Sequence, residues 1–159
     1  MPAPGTDDIA SLASTPVTID AGATASEAAQ LMGTAHIGSL VVTEDDEPVG
    51  LVTDRDLTMA ALLRPAGSAM PTVGSVASRP LMSIDVDGTL VDATILFQKH
   101  CVRRVGVRNK DGALVGIIAA DSIMQALGGP LDDLSHALAR ELSEERSPSP
   151  TDRSTFGPE

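Results

Sequence analysis

The sequence contains no tryptophan or tyrosine, and its only phenylalanines are Phe97 and Phe156. Two such rings do not make the stacked platforms on which single-strand nucleic-acid binders hold bases. Positive charge is scarce too: 11 Lys and Arg stand against 22 Asp and Glu, for a formal charge of −11 and a pI near 4.5. Such a chain repels a phosphate backbone unless it carries a local basic patch, so no DNA or RNA partner is expected. A single cysteine, Cys101, makes no internal disulfide, which agrees with a reducing compartment. No apolar stretch approaches the ~20 residues that span a bilayer. The first seven residues lack the basic flank and apolar run of a secretory signal. A cytoplasmic protein with no membrane association is expected. What is present, 159 residues with 42% hydrophobic positions, suffices for one ordinary core.

That core is written twice. ASTPVTID, from Ala13 to Asp20, returns as ASRPLMSID, from Ala77 to Asp85, with one residue inserted. Thr24-Ala-Ser-Glu27 returns as Thr89-Leu-Val-Asp92, HIGSLVV (His36 to Val42) as CVRRVGV (Cys101 to Val107), and VGLVTDRDL (Val49 to Leu57) as VGIIAADSI (Val115 to Ile123). The copies lie roughly 65 residues apart, the size of a supersecondary unit that does not close a core alone.

Each copy predicts the order β-α-β-β-α. Thr24 and Thr89, each with an acid three residues on, open helices with the apolar stripes Ala28, Leu31, Met32 and Ala93, Leu96, Phe97. Two β-rich pairs follow, 37–43 with 49–53 and 102–108 with 114–118, joined by the turn-like EDDEP and NKDG. The closing helices run from Asp54 to Leu63 and from Ala120 to Leu127, the second stopped by Gly128, Gly129 and Pro130. Beyond Pro130, Leu131, Leu134, Leu138 and Leu142 recur at helical spacing among charged residues. The expected organisation is a disordered 1–7, repeats at 8–63 and 77–127 with a linker at 64–76, an amphipathic helix at 131–146 and a disordered tail at 147–159.

The duplication, the repeat order and the strand-to-helix corner Gly50-Leu-Val-Thr53-Asp-Arg-Asp56 resemble a tandem pair of cystathionine-β-synthase (CBS) domains, a Bateman module. The resemblance covers about residues 8 to 127. It implies an α/β fold with two repeats about a pseudo-twofold axis, plus a C-terminal helix. It also implies a regulatory rather than catalytic protein, with an adenosyl ligand (AMP, ADP, ATP or S-adenosylmethionine) bound between the repeats and no obligatory cofactor. Such modules commonly pair into flat discs, so a homodimer is expected. With no effector domain in the sequence, the output is expected to lie in another protein.

The corner chemistry fits that expectation. Asp56, as a carboxylate, only accepts hydrogen bonds and suits a ribose diol. Thr53, beside Arg55 at the helix start, offers a hydroxyl where the helix dipole also favours an anion. The bland reading is that Thr53 or Asp54 caps the helix and Asp56 is a solvated first-turn acid. By the family's pattern this corner faces Leu81, Met82 and Ser83, and Cys101-Val102-Arg103-Arg104 of the other repeat. A guanidinium binds phosphate bidentately. Neighbours in a strand point to opposite faces, so one of the two arginines is expected at the ligand.

The second corner has Ala119 and Ser122 in place of Thr53 and Asp56, with Asp121 one position away, and Gly38 and Ser39 in place of the arginines. One good site per chain is therefore expected. Catalysis has little support: His36, His100, His136 and Cys101 form no nucleophile-base or metal-ligand motif. His36 and Cys101 are expected at equivalent strand starts. The alternative function is a dimeric structural adaptor that binds nothing small.

Overall fold

A threonine with an acid three residues on starts three helices in this chain, and these starts fix the frame of the fold. The computed structural model describes residues 8–145, so the expected disordered ends at 1–7 and 147–159 lie outside the described residues. The elements are α1 (Ile9–Leu12), β1 (Thr18–Asp20), α2 (Ala25–Ala35), β2 (Ser39–Glu44), β3 (Glu47–Thr53), α3 (Asp54–Leu63), α4 (Val73–Val76), β4 (Ser83–Asp85), α5 (Leu90–His100), β5 (Arg104–Arg108), β6 (Leu114–Ala119) and α6 (Ala120–Glu145). Both copies show the expected β-α-β-β-α order, each preceded by a short helix.

Each repeat builds its own three-stranded mixed sheet. β1 runs parallel to β2 and β2 antiparallel to β3, and β4, β5 and β6 repeat the pattern. In α2 the Thr24 hydroxyl accepts from the Glu27 N–H at 3.2 Å, while the Glu27 carboxylate accepts from the Thr24 N–H at 2.7 Å. Thr89 and Asp92 make the same reciprocal pair on α5. Each box satisfies two groups that a helix end otherwise leaves unpaired.

The short lead helices cross between repeats. Ile9 of α1 is fully buried with Ile84, Leu90, Val105 and Ile118 of the second repeat. Val73 of α4 is fully buried with Ala28, Leu40 and Val52 of the first. The backbone seals both crossings: Ser14 exchanges bonds of 2.8 and 2.9 Å with Ile117, and Ser78 exchanges bonds of 2.9 and 3.0 Å with Leu51. Gly50 makes room for the second, because a Cβ there would lie 2.6 Å from the Ser78 carbonyl oxygen. Between the sheets, Val41, Leu81 and Ile117 form a small joint cluster.

Three expectations change. The strands begin at Ser39 and Arg104, because His36 and Cys101 end the preceding helices as left-handed caps, at φ 54° and 52°, with their N–H groups donated to Met32 and Phe97. They are helix ends rather than strand starts, and their side chains therefore do not follow strand alternation. Arg103 likewise precedes β5, so it does not alternate with Arg104. The third change is in α6, which continues through Gly128, Gly129 and Pro130 to Glu145. The helix carries all three residues despite their low helix propensity. Contacts divide the chain after Ile123, and from Met124 onward the described part is this helix. No helix among the described residues is long and apolar enough to cross a membrane.

Candidate functional site

Because the two sheets pack through the Val41, Leu81 and Ile117 cluster, a cleft opens on each side where a β-to-α corner of one repeat meets the strand starts of the other. The first cleft, about 200 Å³, is lined by Thr53 and Asp56 of one repeat and by Leu81, Met82, Val102, Arg103 and Arg104 of the other. Those seven expected residues are brought together. Arg55 is exposed on α3 and does not line the cleft. Ser83 is also absent from the lining: its hydroxyl accepts from Arg108 Nε and donates to the Leu81 carbonyl, each at 3.2 Å.

Leu51, Ser78, Pro80 and Cys101 complete the wall. Cys101 was legible from its place beside Val102. Ser78 and Pro80 arrive through the crossing of the second lead segment, a pairing between residues far apart in sequence.

The corner itself is a third capping box. The Thr53 hydroxyl donates to Asp56 Oδ2 at 2.7 Å and accepts from the Asp56 N–H at 3.3 Å, and Oδ2 also accepts from the Thr53 N–H at 2.8 Å. The Asp54 N–H donates to the Gly38 carbonyl at 3.2 Å and the Arg55 N–H to Asp54 Oδ1 at 2.8 Å. The hydroxyl proton is already given to Asp56, and the first N–H groups of α3 already have acceptors. Among the described residues, Asp56 Oδ1 takes no part in the box and stays open to a donor.

Positive charge in the cleft rests on Arg103 and Arg104. The ion pairs among the described residues are Arg79 with Glu44 at 2.7 Å and Lys110 with Asp87 at 3.0 Å, so neither cleft arginine is neutralised by a carboxylate there. The Arg79 hydrogen bond holds the Glu44 carboxyl below its ordinary range. Both Arg103 and Arg104 line the first cleft, the former exposed and the latter half-buried. The chemistry on offer is an acceptor on one wall, two bidentate cations on the other, and apolar Leu51, Leu81, Met82 and Val102 between them.

The second cleft, about 290 Å³, contains the expected Gly38, Ser39 and Ala119, but Ser122 is not part of it. It has no carboxylate to accept from a diol. It does have a cation that repeat alignment missed, because Arg104 lines this cleft as well. A third and larger hollow, about 580 Å³, lies between α2 and α3 and is mainly apolar, with Met32, Leu57, Ala61 and Leu62 in its wall.

The sequence profile of the CBS domain family matches residues 8–63 and again 73–129. The chain is 30% identical over 125 residues to the CBS domain-containing protein YhcV of Bacillus subtilis, covering 75% of this chain and 88% of that one. It is 31% identical over 103 residues to a protein of Methanopyrus kandleri, covering 64% of this chain and 53% of the other, so the chain spans about half of that relative. Among solved structures, a CBS domain protein from Pyrobaculum aerophilum complexed with AMP aligns with a TM-score of 0.64 at 25% identity, over 72% of this chain and 88% of that one. Two family matches in tandem, on a duplicated fold of the same order, place the chain in the CBS-domain family as a paired module.

Proposed function

We propose that the chain is a regulatory module that binds an adenine ribonucleotide in the first cleft and signals to a partner protein. The observation that carries this reading is the pairing, in a cleft of about 200 Å³, of the uncommitted Asp56 oxygen with two guanidinium groups that no carboxylate among the described residues neutralises. Asp56 takes a ribose hydroxyl, and Arg103 and Arg104 take phosphate. The apolar wall of Leu81, Met82 and Val102 leaves the base a dry surface. Two cations favour AMP, ADP or ATP over S-adenosylmethionine, which carries no phosphate for them to bind.

A thermal-shift panel of adenine and guanine nucleotides, adenosine and S-adenosylmethionine tests the reading. A ligand at 100 times its Kd adds roughly 2.7 kcal/mol of stability, so adenine nucleotides raise Tm clearly and S-adenosylmethionine raises it less. A panel in which no adenine nucleotide shifts Tm overturns the proposal.

One observation favours the alternative, a ligand-free adaptor: the Thr53/Asp56 box has the same form as the Thr24/Glu27 and Thr89/Asp92 boxes, which line neither cleft. Under either reading a second copy of the chain covers the hollow between α2 and α3. Leu62 and Leu63, each 75% exposed, extend its apolar surface, and twofold pairing is the commonest way to bury such a face. Light scattering at tens of micromolar gives twice the 16.3 kDa chain mass, and a monomer contradicts the pairing.

A further inference from the structure

Among the residues lining either cleft, Arg104 is the charged one common to both. Its place in the sheet explains this. Arg104 opens β5 directly opposite Ala119 of β6. Opposed residues of an antiparallel pair project from one face with their Cβ atoms about 5 Å apart. The small Ala119 leaves room above itself for the Arg104 side chain, and Arg104 is among the residues lining the second cleft. In the first repeat the matching pair is Ser39 with Thr53, and Ser39 is too short to reach across in the same way. Arg103, outside the strand, lines only the first cleft.

Around Arg104 the second cleft offers hydroxyls from Ser14, Thr15 and Ser39 and no carboxylate in its lining. The Ser14 hydroxyl donates to the Ile117 carbonyl at 3.2 Å, which leaves Thr15 and Ser39 as the free donors. Asp54 lies close to Gly38 but lines the hollow between α2 and α3 instead. A guanidinium with hydroxyl donors and no acid in the lining suits a small oxyanion such as phosphate.

We propose that Arg104 couples the two clefts: the second holds a small oxyanion on the same guanidinium that a nucleotide phosphate engages in the first, so each occupant weakens the other. This rests on the reading of the first cleft as an adenine-nucleotide site. One fork-shaped cation makes its bidentate bond to one phosphate at a time, and two anions drawn to one positive charge repel each other. By linkage the weakening is mutual.

The test uses the full chain with 13C-labelled methionine and alanine methyl groups. Met82 reports on the first cleft and Ala119 on the second. In the free protein, inorganic phosphate moves the Ala119 methyl. Saturating AMP moves Met82 and raises the phosphate concentration needed at Ala119 at least tenfold. Adenosine, which fills the first cleft without a phosphate, moves Met82 and leaves the Ala119 titration unchanged. Arg104→Gln abolishes the phosphate response at Ala119. The coupling is overturned, with the reading of the first cleft intact, if AMP moves Met82 but leaves the Ala119 titration where it was, or if adenosine weakens it as much as AMP does. Phosphate that leaves Ala119 unmoved in the free protein also overturns it. If AMP leaves Met82 unmoved, the nucleotide reading itself fails and the coupling falls with it.

Discussion

The two clefts occupy equivalent places in a duplicated fold, yet they hold different side chains. Each is walled by a β-to-α corner from one repeat and strand starts from the other, and each backs onto the Val41, Leu81 and Ile117 cluster. The first keeps an acid on one side and two cations on the other. The second has Ala119 at its corner, serine and glycine at its strand start, and the shared Arg104. Positions that build the repeats match between copies: the capping threonines, the apolar strand centres, and Gly50 with its counterpart Gly116. Positions that face the clefts differ. Duplication thus supplied the scaffold twice, while an acid and two arginines stand together in one cleft.

The largest effect that sharpens this contrast comes from removing both cations. Arg103→Ala combined with Arg104→Ala should weaken AMP more than a hundredfold, since each charge-assisted bond contributes about 1.5–3 kcal/mol. Adenosine should weaken far less, and calorimetry with both ligands separates the two. An AMP affinity unchanged in the double variant breaks the assignment of phosphate to this side of the cleft.

Asp56→Ala should cost about tenfold to over a hundredfold in AMP affinity, by loss of a charged acceptor. It also removes half of the α3 capping box, so a fall of about 1 kcal/mol in stability should accompany it. The two effects separate on the parent protein: 2′-deoxy-AMP should bind more weakly than AMP where no cap has been touched. Equal binding of the two nucleotides contradicts the ribose assignment.

Next in size is a scaffold effect. Gly50→Ala pushes a methyl group to within 2.6 Å of the Ser78 carbonyl oxygen, and should destabilise the chain by about 1–3 kcal/mol in urea unfolding. Gly116→Ala meets the Ala13 Cβ at 2.7 Å on the opposite crossing and should act in the same direction. If either variant keeps the parent midpoint, the crossing it abuts is looser than described.

The smallest effect is acid sensitivity shared by both repeats. Hydrogen bonds from Thr24, chiefly its backbone N–H, hold Glu27 below the ordinary glutamate range, and those from Thr89, chiefly its hydroxyl, do the same for Asp92. A carboxyl lowered on folding contributes stability above its unfolded pKa, and that contribution is lost as pH falls through the folded value, here below the ordinary carboxylate range. Unfolding free energy should therefore drop between pH 5 and pH 3. Glu27→Gln with Asp92→Asn, which removes the titrating groups, should flatten that slope. A slope unchanged in this variant contradicts the contribution of the two boxes.

Much of this was legible in the sequence because its signals are local. The capping boxes at Thr24 and Thr89 and the repeat order follow from residues a few positions apart. Thr53 and Asp56 carry the same local signal, and their shared hydrogen bonds add that the threonine hydroxyl donates to the acid. The crossings of Ile9 and Val73 were not legible, since each joins a short segment to the core of the other repeat. His36 and Cys101 hid two helix ends, because residues other than glycine in the left-handed region leave no compositional mark and apolar Ile37 and Val102 extend the strand pattern backward. The reach of Arg104 into the second cleft followed only from its register with Ala119.

The central claim, one complete nucleotide site in a fold that offers two clefts, is tested most directly by calorimetric titration of the unmodified chain with AMP. The account predicts one tight binding event per chain. Two equal tight events per chain, or no binding at millimolar AMP, would contradict it.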